Sequence, residues 1–141
     1  MTAPAGRWDL PALRAGGGIA LVFAVPFAVL ARILADGSGR SSWSAPLYLA
    51  SLAGFFIGAG VAAWHQRCRT PLSHGLAAAI GTYAIAQGVI VVANILLDRS
   101  VRWLAIAFTL TLVSGVGLLG GVAGLALQRS GLKPKDEMSN E

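Results

Sequence analysis

Four uncharged apolar stretches, at residues 15–31, 46–64, 75–97 and 103–127, dominate this chain. At a rise of about 1.5 Å per residue, roughly 20 residues cross the ~30 Å hydrocarbon core of a bilayer. Within lipid a backbone must satisfy its own hydrogen bonds, which leaves helices as the economical solution for segments of this length. The expected fold is therefore all-α: an integral membrane bundle of four transmembrane helices. The spans should run over about 13–35, 45–66, 72–97 and 101–128, inside one transmembrane domain covering 10–129. Segments 1–9 and 130–141 are polar or mixed in charge and are expected to be disordered.

Composition agrees. Only 12% of the residues are charged, against about 25% in an ordinary soluble domain. The mean hydropathy is +0.68. The net charge of +5 does not point to nucleic acid, because the bases are scattered over the helix ends and form no single face. Nine arginines against two lysines, with much Ala and Gly, fit a GC-rich bacterial genome. Cys68 is the one cysteine, so no disulfide can form within the chain.

Arg7 and Arg14 precede the first apolar run, as in a signal peptide. The run exceeds the usual apolar core of such a peptide, and Ile33-Leu34-Ala35 is a poor cleavage site. An uncleaved first helix is expected.

Local signals place the boundaries. Asp9 is the expected N-cap of the first helix, Pro11 lies in its first turn, and Pro26 should kink its middle. Ser44, Thr70 and Ser100 are the expected caps of the other three helices. Gly131 should stop the last. Tryptophan prefers the headgroup level, and Trp8, Trp43, Trp64 and Trp103 all fall at proposed span ends as interfacial anchors.

Threading follows from charge. One side has Arg7, Arg14, Arg67, Arg69, Arg129, Lys133 and Lys135; the other has Arg32, Arg40, Arg99 and Arg102. Seven against four puts both termini in the cytoplasm, across a bacterial plasma membrane. Two tracts echo one another: 58–67 ends Trp-His-Gln-Arg and 120–129 ends Ala-Leu-Gln-Arg, with Gly, Val and Ala shared upstream. Two tandem helical hairpins would account for this, as would chance in a sequence so rich in small apolar residues.

No Asp, Glu, Lys, Arg or His lies in the core of any span. Proton-coupled transport and intramembrane hydrolysis usually need one there. Tyr83, Gln87 and Asn94 form a polar stripe on the third helix. Interhelical glue is the first expectation for these side chains, and a solute path the second. Gly54 and Gly58, and Gly117, Gly120, Gly121 and Gly124, have the small-residue spacing of close helix packing. The basic inner loop carries Arg67 and Arg69, suited to anionic lipid headgroups. His65, Cys68 and His74 are zinc-type ligands that lack a fourth member, so no metal or other cofactor is expected.

The run from Gly54 to Ala78, with its glycines, basic turn and Pro71-Leu72-Ser73-His74-Gly75, resembles a group of small four-span bacterial membrane proteins without an assigned activity. The resemblance implies the four-helix topology alone. The favoured function is a non-catalytic subunit, assembly factor or scaffold that packs against other membrane helices, in another membrane protein or a homo-oligomer. The alternative is a small oligomeric transporter or channel with a path along the polar stripe.

Overall fold

The computed structural model describes residues 8–36 and 42–131. Among these, the chain forms four helices and no strand: α1 (Leu10–Asp36), α2 (Ser44–His65), α3 (Pro71–Leu96) and α4 (Trp103–Arg129). All four are long and apolar enough to span a membrane, and the chain is a multi-pass membrane protein of all-α four-helix architecture. Most of the two end segments expected to be disordered lies outside the described residues.

The helix ends show which local signals act. Oδ1 of Asp9 accepts the N–H of Ala12 at 3.2 Å, capping α1 as expected. Pro26 lies within α1, which continues through it as one helix. Ser44 is not a cap. It is the first residue of α2, and Trp43 precedes it with near-helical backbone (φ −82°, ψ −14°) and no capping side chain. Thr70 does occupy the N-cap position of α3, ahead of Pro71, but its side chain makes no capping bond. Its Oγ1 lies 3.1 Å from Nδ1 of His74 instead. Ser100 also fails as a cap, because α4 starts later and Arg102 holds that position. Gly131 ends α4 as expected, at φ +79°, with its N–H on the carbonyl of Gln128.

Consecutive helices alternate in direction. Among the described residues α1 packs on α2 and α3, α4 packs on α2 and α3, and α1 does not touch α4. Around the bundle the order is therefore α1, α2, α4, α3. This makes α1 a parallel neighbour of α3, and α2 a parallel neighbour of α4.

The interior is built from very small side chains. Ala20, Ala24, Ala59, Ala62, Ala63 and Ala79 are essentially inaccessible, while His74 and Val113 are the largest fully buried side chains. Large apolar residues such as Leu96, Leu104 and Phe108 point outward. In lipid, burying a leucine gains little over leaving it outside, so close backbone packing carries the association.

Candidate functional site

Glycines divide the bundle into a tight half and an open half. Gly16 of α1 lies against the carbonyl of Gly58 and against Ala62 in α2. A Cβ at Gly58 would stand 2.5 Å from the carbonyl oxygen of Gly16, and one at Gly54 would stand 2.8 Å from the backbone nitrogen of Ala24. Between α2 and α4, a Cβ at Gly120 would meet the Phe56 carbonyl at 2.5 Å, and one at Gly124 the Gly60 carbonyl at 2.5 Å. Between α3 and α4, Gly117 faces Ala79, and Gly121 lies beside Leu72. These contacts fill the half of the bundle that contains the α2–α3 turn, called here the inner half.

A floor of Phe55, Tyr83 and Val113, packed with Ala59 and Ala79, closes the tight half. The Phe55 and Tyr83 rings meet edge to face at 6.5 Å. Tyr83 sits near the middle of α3, and its hydroxyl donates to the carbonyl of Ile106 at 3.0 Å. This bond ties α3 to α4.

Beyond the floor the four helices enclose a cavity of about 390 Å³. Gln87 and Asn94 both line it. Among the described residues neither amide bonds to a neighbouring helix, so of the stripe only Tyr83 acts as glue. Tyr48, Ser51 and Thr109 add hydroxyls, and Tyr48 Oη lies 3.4 Å from Thr109 Oγ1. At the outer end the lining includes Arg32 of α1 and Arg99 and Arg102 from the α3–α4 connection. The rest of the wall is aliphatic, including Val25, Ala28 and Ile90. Among the described lining residues no nucleophile is paired with a base.

Sequence reasoning counted these arginines only as topology markers. Their convergence depends on which helices are neighbours, which periodicity within one helix does not reveal. A second polar cluster was also missed, at the inner end. His74 is fully buried. Its Nε2 accepts the backbone N–H of Asp9 at 2.9 Å, and Nδ1 lies 2.9 Å from the Thr70 carbonyl. His65 turns away, with Nδ1 at 3.1 Å from its own helix at Val61. His65, Cys68 and His74 therefore do not converge, and no group of three metal-ligand side chains is present among the described residues.

Nearby, Gln66 and Gln128, which occupy corresponding places in the two echoing tracts, are joined side chain to side chain at 3.4 Å. Nε2 of Gln128 also faces the carbonyls of Ala63, Trp64 and Gln66 at 2.9–3.1 Å, closing the end of α2.

Of the four tryptophans expected at the interfaces, Trp43 and Trp103 are exposed at the outer end. Trp8 and Trp64 lie at the inner end, with their rings 5.4 Å from His74 and 5.1 Å from His65 respectively. Arg67 and Arg69 are exposed on the α2–α3 turn, where Arg69 takes a left-handed backbone (φ 56°). Comparison with protein-family models, with curated proteins and with solved structures finds no match to this chain.

Proposed function

We propose that this chain is a non-catalytic membrane subunit, assembly factor or scaffold that packs against other membrane helices. One observation carries the reading. Gly81 and Gly88 of α3 face outward, with no atom within 4 Å of where a Cβ would stand. Ala84 between them is exposed, and Ala77 lies one turn before. Spacings of four, three and four place all of these residues on one helix face. The same small-residue chemistry zips the inner half of the bundle, and here it is open to a further helix. Replacing Gly81 and Gly88 together with Leu should leave the fold intact and abolish co-purification of the partner, or self-association, in mild detergent. Unchanged association by the folded double variant would remove this face from the reading.

The membrane is the bacterial plasma membrane, with both termini cytoplasmic and Arg67 and Arg69 against anionic headgroups. A membrane-impermeant thiol reagent should then label Cys68 only after permeabilisation. Labelling of intact cells would reverse the orientation.

The second reading, a small oligomeric transporter or channel, draws support from the cavity beside Tyr83, Gln87 and Asn94. The tight inner half weighs against it, since a path would have to part backbone contacts at Gly58 and Gly120. Solute flux in liposomes holding this protein alone would favour that reading.

A further inference from the structure

We infer that the outer cavity binds an anionic amphiphile, with its head at Arg99 and Arg102 and its chain along the aliphatic wall. The site is independent of the helix-packing face on α3. Three observations combine. First, Arg99 and Arg102 line the cavity together with Arg32, and none of the lining side chains that the structure describes is a carboxylate. Guanidinium groups recognise phosphate and carboxylate through paired hydrogen bonds. Second, charge is confined to one end. The arginines stand towards the outer end of their elements, while the deeper wall is uncharged, with Val25, Ala28 and Ile90 beside Ser51, Gln87 and Thr109. Third, Gln87 and Asn94 are half-buried in a membrane span without a protein partner among the described residues. Amide groups in such surroundings are costly unless something hydrogen-bonds to them. A charged head lying over an acyl chain matches the first two features, and the head reaches the Asn94 amide, which shares the outer end with the arginines. At about 390 Å³ the space is of ligand-site size.

The entrance suits a ligand that arrives from the outer leaflet. Val29, Ile33 and Tyr48 line the cavity yet remain exposed, so the chamber is not sealed from its surroundings. Arginine stems can lie along this apolar rim while their heads stay at headgroup level. Two sources share the chemistry, an anionic phospholipid and a free fatty acid.

The test uses the full chain in a neutral maltoside detergent, with bound ligand read by native mass spectrometry. The probes are dilauroyl phosphatidylglycerol, laurate, dilauroyl phosphatidylcholine and inorganic phosphate. Phosphatidylglycerol or laurate should be retained about tenfold better than phosphatidylcholine, and phosphate alone should not compete. Retention of the phospholipid alone identifies a lipid site, and of laurate alone a fatty-acid site. The Arg99→Gln, Arg102→Gln double variant should lose that preference, and Ala28→Phe should weaken retention by filling the wall. Arg67→Gln, Arg69→Gln, at the opposite end, should change neither. Equal retention of phosphatidylcholine overturns the inference, as does full competition by phosphate. Loss of binding in the inner-loop variant instead of the outer one does so too.

Discussion

The backbone N–H of Asp9 donates to Nε2 of His74 at 2.9 Å, joining the start of α1 to the first turn of α3 across 65 positions of sequence. An N–H can only donate, so Nε2 is the bare nitrogen of the ring, and the ring hydrogen sits on Nδ1, facing the Thr70 carbonyl. The Asp9 carboxylate is used as well: Oδ1 caps α1 at Ala12, and Oδ2 accepts the N–H of Arg67 at 3.1 Å. One short segment thus pins three elements at the inner end of the bundle.

Removing the His74 ring should loosen that end. His74→Ala leaves the Asp9 N–H without its acceptor and opens a void, and should lower unfolding free energy by about 2–4 kcal/mol. His74→Phe keeps most of the volume and should lower it by about 1–2 kcal/mol. Thermal unfolding in detergent measures both. Equal losses in the two variants would mean that the hydrogen bonds alone hold the site, and no loss in His74→Phe would mean that packing alone does.

Glycine substitutions should rank by what a side chain would strike. Gly58→Ala and Gly124→Ala place a methyl 2.5 Å from a backbone carbonyl oxygen, with no flexible neighbour to yield. Each should destabilise the bundle by about 1–3 kcal/mol, as overpacking does. Gly121→Ala meets Leu72 Cα at 3.2 Å and should be milder. Gly81→Ala meets nothing and should leave stability unchanged or slightly raised. A detergent melting series that fails to separate Gly58 and Gly124 from Gly81 would overturn this ranking.

The spans were legible in the sequence because a bilayer fixes both length and polarity. Trp8, Trp43, Trp64 and Trp103 each fall within two residues of a helix end, where the preference of indole for the headgroup level places them in a membrane protein. Ser44 and Ser100 misled because several polar residues stand near each start, and the path of the connection decides which one meets the helix. The packing partners were less legible. A core of Ala and Gly gives little contrast between faces, so periodicity could not say that α4 would sit beside α2 and not α1. Without that neighbour relation, Arg99, Arg102, Gln87 and Asn94 remain unconnected features of separate segments. His74 looked like part of a basic turn because nothing local shows that Asp9 lies over it.

Asp98 offers a stabilising change. It takes a left-handed conformation (φ 53°) just past the end of α3. Its N–H reaches the Ile95 carbonyl, and the Arg99 N–H reaches that of Asn94 at 2.8 Å, so the turn closes the helix end in the manner glycine usually serves. Aspartate tolerates this conformation better than most residues, yet glycine carries no Cβ strain there. Asp98→Gly should raise stability by about 0.5–1 kcal/mol. A lower melting temperature would show that the carboxylate makes a compensating contribution.

Gln128 supports a prediction that depends on the sign of a dipole. Its Nε2 faces the carbonyls of Ala63, Trp64 and Gln66, at the end of α2 where the helix is partially negative. Gln128→Ala removes the donor and should lower stability by about 1–2 kcal/mol. Gln128→Glu is nearly isosteric, but it turns a carboxylate oxygen towards the same three carbonyl oxygens, while its other oxygen keeps only the long contact from Gln66 Nε2, at 3.4 Å. That variant should be worse than alanine, by about 1 kcal/mol or more at neutral pH. Acidification should protonate the new carboxyl and recover part of the loss, whereas the alanine variant should show no such recovery relative to the parent. Paired melting curves at neutral and acidic pH make the comparison. If Gln128→Glu matches or exceeds Gln128→Ala in stability, the side chain does not close α2 through its amide N–H.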